Sequence, residues 1–163
     1  MTPDAMLIPI LLVPLVGIVL IQLLGNQPNL RETASLVTAG VLFFLVASLY
    51  PAVAGGARPR AELAEPIPGV PLVLELEPLG LVFALVASFL WIVTTIYSIG
   101  YMRAHHEQNQ TRFFTFFALA IFGAIFVAFS GNLFTLFVAY EVLTLSTFPL
   151  VTHHQSKEAT KAG

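Results

Sequence analysis

The sequence predicts an all-α, multi-pass membrane protein with about five transmembrane helices. Two observations favour this class: 57% of the 163 residues are hydrophobic while only 10% are charged, and the mean hydropathy is +0.87. Soluble domains are much richer in charge, at about 25%. A hydrocarbon core about 30 Å thick needs roughly 20 apolar residues per helix, so a chain of this length holds about five crossings with short connections. It leaves no room for a soluble domain beside them.

Five apolar segments follow one another, and we interpret residues 1–163 as a single membrane domain. The predicted helices cover residues 5–24, 33–50, 79–101, 113–130 and 133–151. In the fourth segment, Ala120, Ala124 and Ala128 recur every four residues beside Gly123. Such a stripe of small residues favours close packing between membrane helices.

The segment 51–78 differs from its neighbours in composition and is predicted to be a loop outside the membrane. It is rich in proline and glycine and holds four glutamates. Within it, the apolar residues alternate with other residues, which predicts one short strand over residues 70–76.

Basic residues are distributed unequally between the two sides that five crossings define. The N-terminus and the 51–78 loop share one side with Arg58 and Arg60, two of the seven basic residues. The other side carries the remaining five: Arg31, Arg103, Arg112, Lys157 and Lys161. Because cytoplasmic loops carry the excess of Lys and Arg, we expect the N-terminus and the acidic loop to be extracytoplasmic and the C-terminus to be cytoplasmic.

One ionisable side chain lies near the middle of the fifth segment, in FVAYEVLTLSTFPLV at residues 137–151. A charge at the bilayer centre costs at least ~2.5 to 3.5 kcal/mol, so Glu141 needs a compensating interaction. At roughly 100° per residue, Tyr140, Thr144 and Thr147 fall in the same sector of about 120° as Glu141, and these four residues form a polar strip. No Lys or Arg lies within the five predicted segments. Either the carboxyl is protonated, or a cationic partner comes from elsewhere.

Two interpretations of Glu141 remain open from the residues themselves. Intramembrane acids usually mark ion or proton paths, which predicts that Glu141 is a proton relay supported by Tyr140, Thr144 and Thr147. In the alternative, a neutral carboxyl only donates a hydrogen bond to a neighbouring helix, and the chain is a structural module that does not transport.

Other classes of site find little support in the sequence. The chain has no cysteine, which excludes thiolate metal sites and cysteine nucleophiles, and its net charge of -2 carries no nucleic-acid signal. The pairs His105–His106 and His153–His154 share the predicted cytoplasmic side and could meet at a metal, but adjacent residues point to different helix faces and solvated histidines are the simpler interpretation. Phosphate-binding loops, nucleophile elbows and zinc-protease motifs do not occur. We predict no metal and no cofactor in this chain.

Two stretches resemble a known family of antiporter-like membrane subunits. They are EPLGLVFALVASFLWIVTTIYSIGYM at residues 77–102 and FFTFFALAIFGAIFVAFSGNLFTLFVAYEVLTLSTFPLVTH at residues 113–153. The family supplies the proton-pumping subunits of complex I, the D-type subunits of Mrp-type cation/proton antiporters, and subunits of membrane-bound hydrogenases. YEVLTLSTFPLVTH is most similar to the Mrp D-type subunits and their hydrogenase-like relatives. The first two helices match only loosely.

The resemblance implies a role and a context for Glu141. It matches a family glutamate that belongs to a buried charged chain, is paired with a lysine on a later helix, and supports proton translocation. Family members have about fourteen helices built from inverted repeats, so the chain is expected to be the N-terminal portion of a longer subunit. The implied enzyme role is at most that of a proton-translocating subunit of an NADH-quinone oxidoreductase-like complex.

The implied partners follow from the same resemblance. They are other membrane subunits and the bilayer of a bacterial or archaeal-type cell membrane, with protons as the coupling ion and sodium as the alternative.

Overall fold

The computed structural model describes residues 2–152. Within this range the chain forms a mostly helical fold with a small antiparallel sheet of two strands. The elements are α1 (Pro3–Leu23), α2 (Pro28–Ser48), α3 (Tyr50–Ala54), β1 (Arg60–Ile67), β2 (Val70–Glu75), α4 (Pro78–Ala104), α5 (Gln110–Ala128) and α6 (Leu133–Val151). Five helical stretches in this range are long and apolar enough to span a membrane, with α2 and α3 together forming one of them. The predicted fold class is confirmed.

Four of the long helices form a bundle, and the fifth packs outside it. Helix α1 lies between α2 and α5, α4 lies against the same two helices, and α6 packs mainly on α5. The bundle encloses a core of fully buried apolar side chains that includes Leu7, Ile10, Leu42, Trp91 and Phe114. This arrangement leaves α6 at the edge of the structure.

Three helices extend beyond their predicted bounds and thereby include basic residues. Helix α2 begins at Pro28, which occupies the first helical turn, where its missing N–H costs nothing. Arg31 and Glu32 therefore lie inside α2, while Arg103 lies in the last turn of α4 and Arg112 in the first turn of α5. The expectation that no basic residue falls within a spanning helix is wrong, although all three arginines lie near helix ends.

The segment between α3 and α4 contains a β-hairpin where one strand was predicted. Strands β1 and β2 pair antiparallel, with register irregularities between Glu62 and Ala64 and between Ala64 and Ile67. Between the strands, Pro68 is followed by Gly69 at a φ of 80°, the arrangement that a type II turn requires. The strand β1 was missed because only Ala61 and Leu63 are partly buried along it, so its apolar alternation is weak.

The hairpin is attached to the start of α1 and to the turn between α5 and α6. The backbone N–H of Arg60 donates to Asp4 Oδ1 of α1 at 2.8 Å. On the other strand, the Glu75 N–H donates to the Phe129 carbonyl at 2.7 Å, and the Gly131 N–H donates to the Val73 carbonyl at 2.8 Å. The hairpin therefore covers one end of the bundle and holds the α5–α6 turn.

The described basic residues separate between the two ends of the bundle. Arg103 and Arg31 meet at the end where α2 and α5 begin, whereas Arg58 and Arg60 pair with Glu77 and Glu75 at the hairpin end. The positive-inside rule then predicts that the hairpin end is extracytoplasmic.

Single cysteines placed in this cysteine-free chain test that orientation. We expect Ala64→Cys, exposed on β1, to react with a membrane-impermeant thiol reagent in intact cells, and Gln108→Cys, exposed between α4 and α5, to react only after the cells are opened. Both sites are surface positions, so differences in reactivity report the side of the membrane. Labelling of Gln108→Cys but not Ala64→Cys in intact cells would reverse the topology.

Candidate functional site

Helix α6 carries the predicted polar strip, and its start is fixed by polar contacts. The Asn132 side chain accepts a hydrogen bond from the Thr135 N–H at 2.7 Å and so caps the helix. The same amide donates through Nδ2 to the Pro71 carbonyl at 2.8 Å, and Thr135 Oγ1 accepts from the Val73 N–H at 2.8 Å. Strand β2 thereby sets the position and rotation of α6.

One narrow face of α6 is buried against the rest of the chain. Thr135, Ala139 and Ser146 are its buried residues, spaced to lie on one side of a helix. At Gly123 of α5, an added Cβ would lie 2.9 Å from the Leu143 Cα, so the two backbones approach very closely there. Only 17% of the spanning window of α6 is buried, which leaves most of its circumference open.

The polar strip lies on the open side of α6. Tyr140, Glu141, Thr144 and Thr147 are all exposed, and Glu141 lies near the centre of the helix. The structure therefore brings the four predicted residues onto one side, but it does not bury Glu141 within this chain. Glu141 was expected to be a buried glutamate. Within residues 2–152 its side chain is exposed, because no helix among them covers this side of α6.

The carboxylate of Glu141 forms no hydrogen bond or ion pair with any side chain in residues 2–152. The Thr147 hydroxyl donates to the Thr144 carbonyl of its own helix at 2.8 Å, which leaves its lone pairs free to accept. The strip thus offers an acid, a phenol and hydroxyls to whatever lies against α6, together with large exposed apolar side chains such as Phe137 and Leu145.

A second group of charged residues, which sequence reasoning missed, lies at the non-hairpin end of the bundle. Glu32 Oε1 accepts from Arg103 Nε at 3.1 Å and Oε2 accepts from its guanidinium at 2.5 Å, while Arg31 lies 3.6 Å from Oε1. Arg31 also donates to Gln110 Oε1 at 2.7 Å and to Thr111 Oγ1 at 3.0 Å. Arg31 and Glu32 are buried. This Arg31–Glu32–Arg103 cluster joins α2, α4 and α5.

The signal that could have revealed the cluster is Pro28. A proline at the first helical position marks a helix start, and a start at Pro28 places Arg31 and Glu32 inside the helix, at its fourth and fifth positions. Their burial could not be read from α2 alone, since it depends on Arg103 and Gln110 from helices far along the chain.

Of the two predicted histidine pairs, His105–His106 lies in the described range. His105 is exposed, stacks on Tyr101 with ring centroids 4.3 Å apart, and places Nδ1 2.9 Å from the Tyr101 carbonyl oxygen. The pair His153–His154 lies outside the described residues. Between residues 2 and 152, no three His, Cys, Asp or Glu side chains gather in a way that could hold a metal ion.

Comparison with known proteins finds similarity to one family and to named relatives over part of the chain. Residues 69–114 match the family described as NADH-Ubiquinone oxidoreductase (complex I), chain 5 N-terminus. A protein of Staphylococcus haemolyticus named "Putative antiporter subunit mnhD2" is 37% identical over 86 residues, and the protein of the same name in Staphylococcus aureus strain JH9 is 31% identical over 86 residues. The chain is related to the antiporter-like membrane subunits.

The extent of this relationship is limited to part of each antiporter-like protein. Each alignment with an mnhD2 protein covers 53% of this chain and 17% of the relative. A solved structure titled as the membrane-bound sulfane sulfur reductase, an archaeal respiratory membrane complex, superposes with a TM-score of 0.73 over 87% of this chain and 22% of the other chain. Its sequence identity is 24%, so this likeness establishes the fold alone.

Helix α6 is largely uncovered, so we expect isolated copies of this chain to associate with one another through α6. We predict that Leu145→Cys, at a side chain 70% exposed on α6, forms disulfide-linked dimers on mild oxidation in detergent. Phe44→Cys, at a side chain 71% exposed on α2, is the matched control and should cross-link much less. Equal cross-linking at both positions, or a monodisperse monomer that unfolds cooperatively, would contradict this expectation.

Proposed function

We propose that this chain belongs to a membrane subunit of an antiporter-like complex and that Glu141 carries or relays protons within it. One observation carries the proposal: an ionisable side chain lies halfway along a spanning helix, on the side that the chain's other helices leave open. An acid at that depth is costly unless a partner or a water-filled path faces it. The exposed side of α6 is where such a partner can bind.

The partner that this geometry suits is a cationic side chain from a helix outside residues 2–152. A lysine within hydrogen-bonding distance would offset the desolvation of an ionised Glu141, and its approach or departure would change how strongly the carboxylate holds a proton. Tyr140, Thr144 and Thr147 are the candidate groups for holding water beside the carboxylate, since each exposes a hydroxyl on the same side.

Similarity to known proteins adds support to this assignment, although the family match does not reach the acid itself. The family match ends at residue 114, before α6 begins. The mnhD2 proteins are named as antiporter subunits, which favours cation/proton exchange as the process. Other membrane subunits are the proposed partners, and protons, with sodium as the alternative, are the proposed ions.

Substitutions at Glu141 test the relay. Glu141→Gln keeps the shape of the side chain but removes the titratable proton, whereas Glu141→Asp keeps the proton and withdraws it by about one methylene. We expect proton or cation transport in vesicles containing the assembled complex to fall by about 100-fold or more for Gln, because one positioned general acid–base group typically contributes about 10²–10⁴-fold. Asp should lose less, and Thr144→Ser should lose little.

Incorporation of the subunit is measured beside transport, because a variant that fails to assemble would imitate a lost relay. All three variants should assemble, since glutamine is less costly to bury than a charge. Wild-type transport by an assembled Glu141→Gln complex would remove the relay and leave a structural module whose carboxyl only forms hydrogen bonds.

A further inference from the structure

A second polar region lies inside the four-helix bundle, away from α6. The buried faces of α2 and α4 carry hydroxyl and indole groups in the half of the bundle next to the Arg31–Glu32–Arg103 cluster. We name this set the polar seam: Ser35, Trp91, Thr95 and Ser98. In the other half, the same two faces carry apolar side chains such as Leu42, Val46 and Leu81.

Two contacts fix the relative heights of α2 and α4. The helices run antiparallel, with Glu32 bound to Arg103 near one end and the Phe43 and Phe89 rings 5.9 Å apart further along. Because both helices rise about 1.5 Å per residue, Ser35 lies level with Ser98. Thr95 and Trp91 follow on the same face of α4 at intervals of about one turn, so the seam extends along the buried side of this helix.

Several polar atoms of the seam have no hydrogen-bond partner in residues 2–152. They are Ser35 Oγ, Trp91 Nε1 and Thr95 Oγ1, on residues that are 0%, 1% and 1% exposed. The buried Nε atom of Arg31 also has no hydrogen-bond partner among these residues. Buried polar groups are almost always satisfied, by protein or by ordered water. The neighbouring Ser88 and Thr38 show the usual solution, since each donates to a carbonyl of its own helix.

The chemistry of these atoms defines the ligand that would satisfy them. Trp91 Nε1 and Arg31 Nε only donate, so the ligand must accept hydrogen bonds, while the Ser35 and Thr95 hydroxyls can donate or accept. Three of the four atoms belong to uncharged hydroxyl and indole groups, and Arg31 lies beside the Glu32 carboxylate, so a neutral ligand is more suitable than an anion. Trp91 and Thr95 lie four residues apart on one helix face, a separation that one small molecule can bridge.

We propose that the polar seam binds a line of ordered water molecules that extends from the Arg31–Glu32–Arg103 cluster to Trp91. Trp91 lies about 18 Å along α4 from Arg103, more than half of a hydrocarbon core about 30 Å thick. The line ends where Leu42 and Val46 close the interface. Water thus enters the first four spanning helices from the end opposite the hairpin and stops inside them. This inference does not depend on Glu141.

Radiolytic hydroxyl-radical labelling in H₂¹⁸O tests the proposal, because radicals formed from bound water oxidise the side chains beside it. The experiment uses membranes that contain the full chain, with peptide mass spectrometry as the readout. We expect Trp91 to be oxidised and to incorporate ¹⁸O although it is buried. The double variant Ser35→Ala, Thr95→Val should lower Trp91 labelling severalfold. Ser146→Ala is the control, since this buried hydroxyl donates to the Leu143 carbonyl and should leave Trp91 labelling unchanged.

The outcomes separate the proposal from loss of folding. Phe129 is fully buried outside the seam, so a rise in its labelling reports an unfolded variant. Thr95→Ser keeps the hydroxyl and should retain labelling at Trp91 if water is held there. Absence of Trp91 labelling in the wild-type chain overturns the proposal without any variant, and so does unchanged labelling in a folded double variant.

Discussion

Glu32→Gln is expected to lower the free energy of unfolding by about 3 kcal/mol, at the low end of what it costs to leave a buried charge unpaired. The carboxylate of Glu32 accepts two hydrogen bonds from Arg103 and lies 3.6 Å from Arg31. Arg103 is half exposed and can turn to water. Arg31 is buried and cannot, so most of the loss comes from its uncompensated charge. Unfolding by a denaturing detergent, titrated into mixed micelles, measures the difference.

Two further variants make the Glu32 result specific. Glu62→Gln changes the same chemical group at an exposed position of β1 and should stay within about 0.5 kcal/mol of the wild-type chain. Arg31→Met in the Glu32→Gln background removes the stranded charge and should recover part of the lost stability, because apolar replacements of buried ion pairs are often neutral. Equal effects of Glu32→Gln and Glu62→Gln would show that the cluster does not stabilise the bundle.

Gly123→Leu is expected to separate α6 from α5 and to cost more than the roughly 1–3 kcal/mol typical of an overpacked site. An added Cβ at Gly123 would lie 2.9 Å from the Leu143 Cα and 3.0 Å from the Leu143 N. Backbone atoms cannot turn aside as a side chain can, so the whole of α6 must shift. The shift would also move the polar strip, and transport by the assembled complex should fall together with stability.

Glycines in other helices provide the control for this prediction. An added Cβ at Gly40 of α2 or at Gly100 of α4 meets nothing within 4 Å. Alanine at either position should be neutral or should raise the free energy of unfolding by up to about 1 kcal/mol, because glycine loses more backbone entropy on folding. If Gly123→Leu behaves like Gly40→Ala, the close approach of α5 and α6 carries no energetic weight.

Features that depend on local pattern could be predicted from the sequence. The spanning helices follow from runs of apolar residues, and Glu141 with Thr144 follows from helical spacing, which is why the strip occurs on one side of α6 as predicted. Close packing of the fourth segment was also predicted. Close backbone approaches occur at Gly123, against Leu143, and at Ala128, whose carbonyl oxygen leaves no room for a Cβ at Gly80 of α4, while Ala120 and Ala124 are only half buried.

Features that depend on distant partners could not be predicted in the same way. From the sequence alone, Arg31 and Glu32 look like part of a polar loop between two helices, because their partner Arg103 lies far along the chain. The strand β1 has little apolar alternation of its own and is held by pairing with β2 and by Asp4. Whether Glu141 is covered depends on helices that approach α6 from outside residues 2–152, and no pattern within α6 determines them.

The hairpin has a consequence for how the chain is made. Its backbone hydrogen bonds reach Asp4, at the start of α1, and Phe129 and Gly131, between α5 and α6. Membrane helices insert one after another during synthesis. With the hairpin end outside the cytoplasm, as the positive-inside rule predicts, these bonds can form only after the hairpin has crossed the bilayer and the last of those residues has followed it. Biogenesis would then have a late step on the far side of the membrane, at which the first and last described helices become fixed to each other.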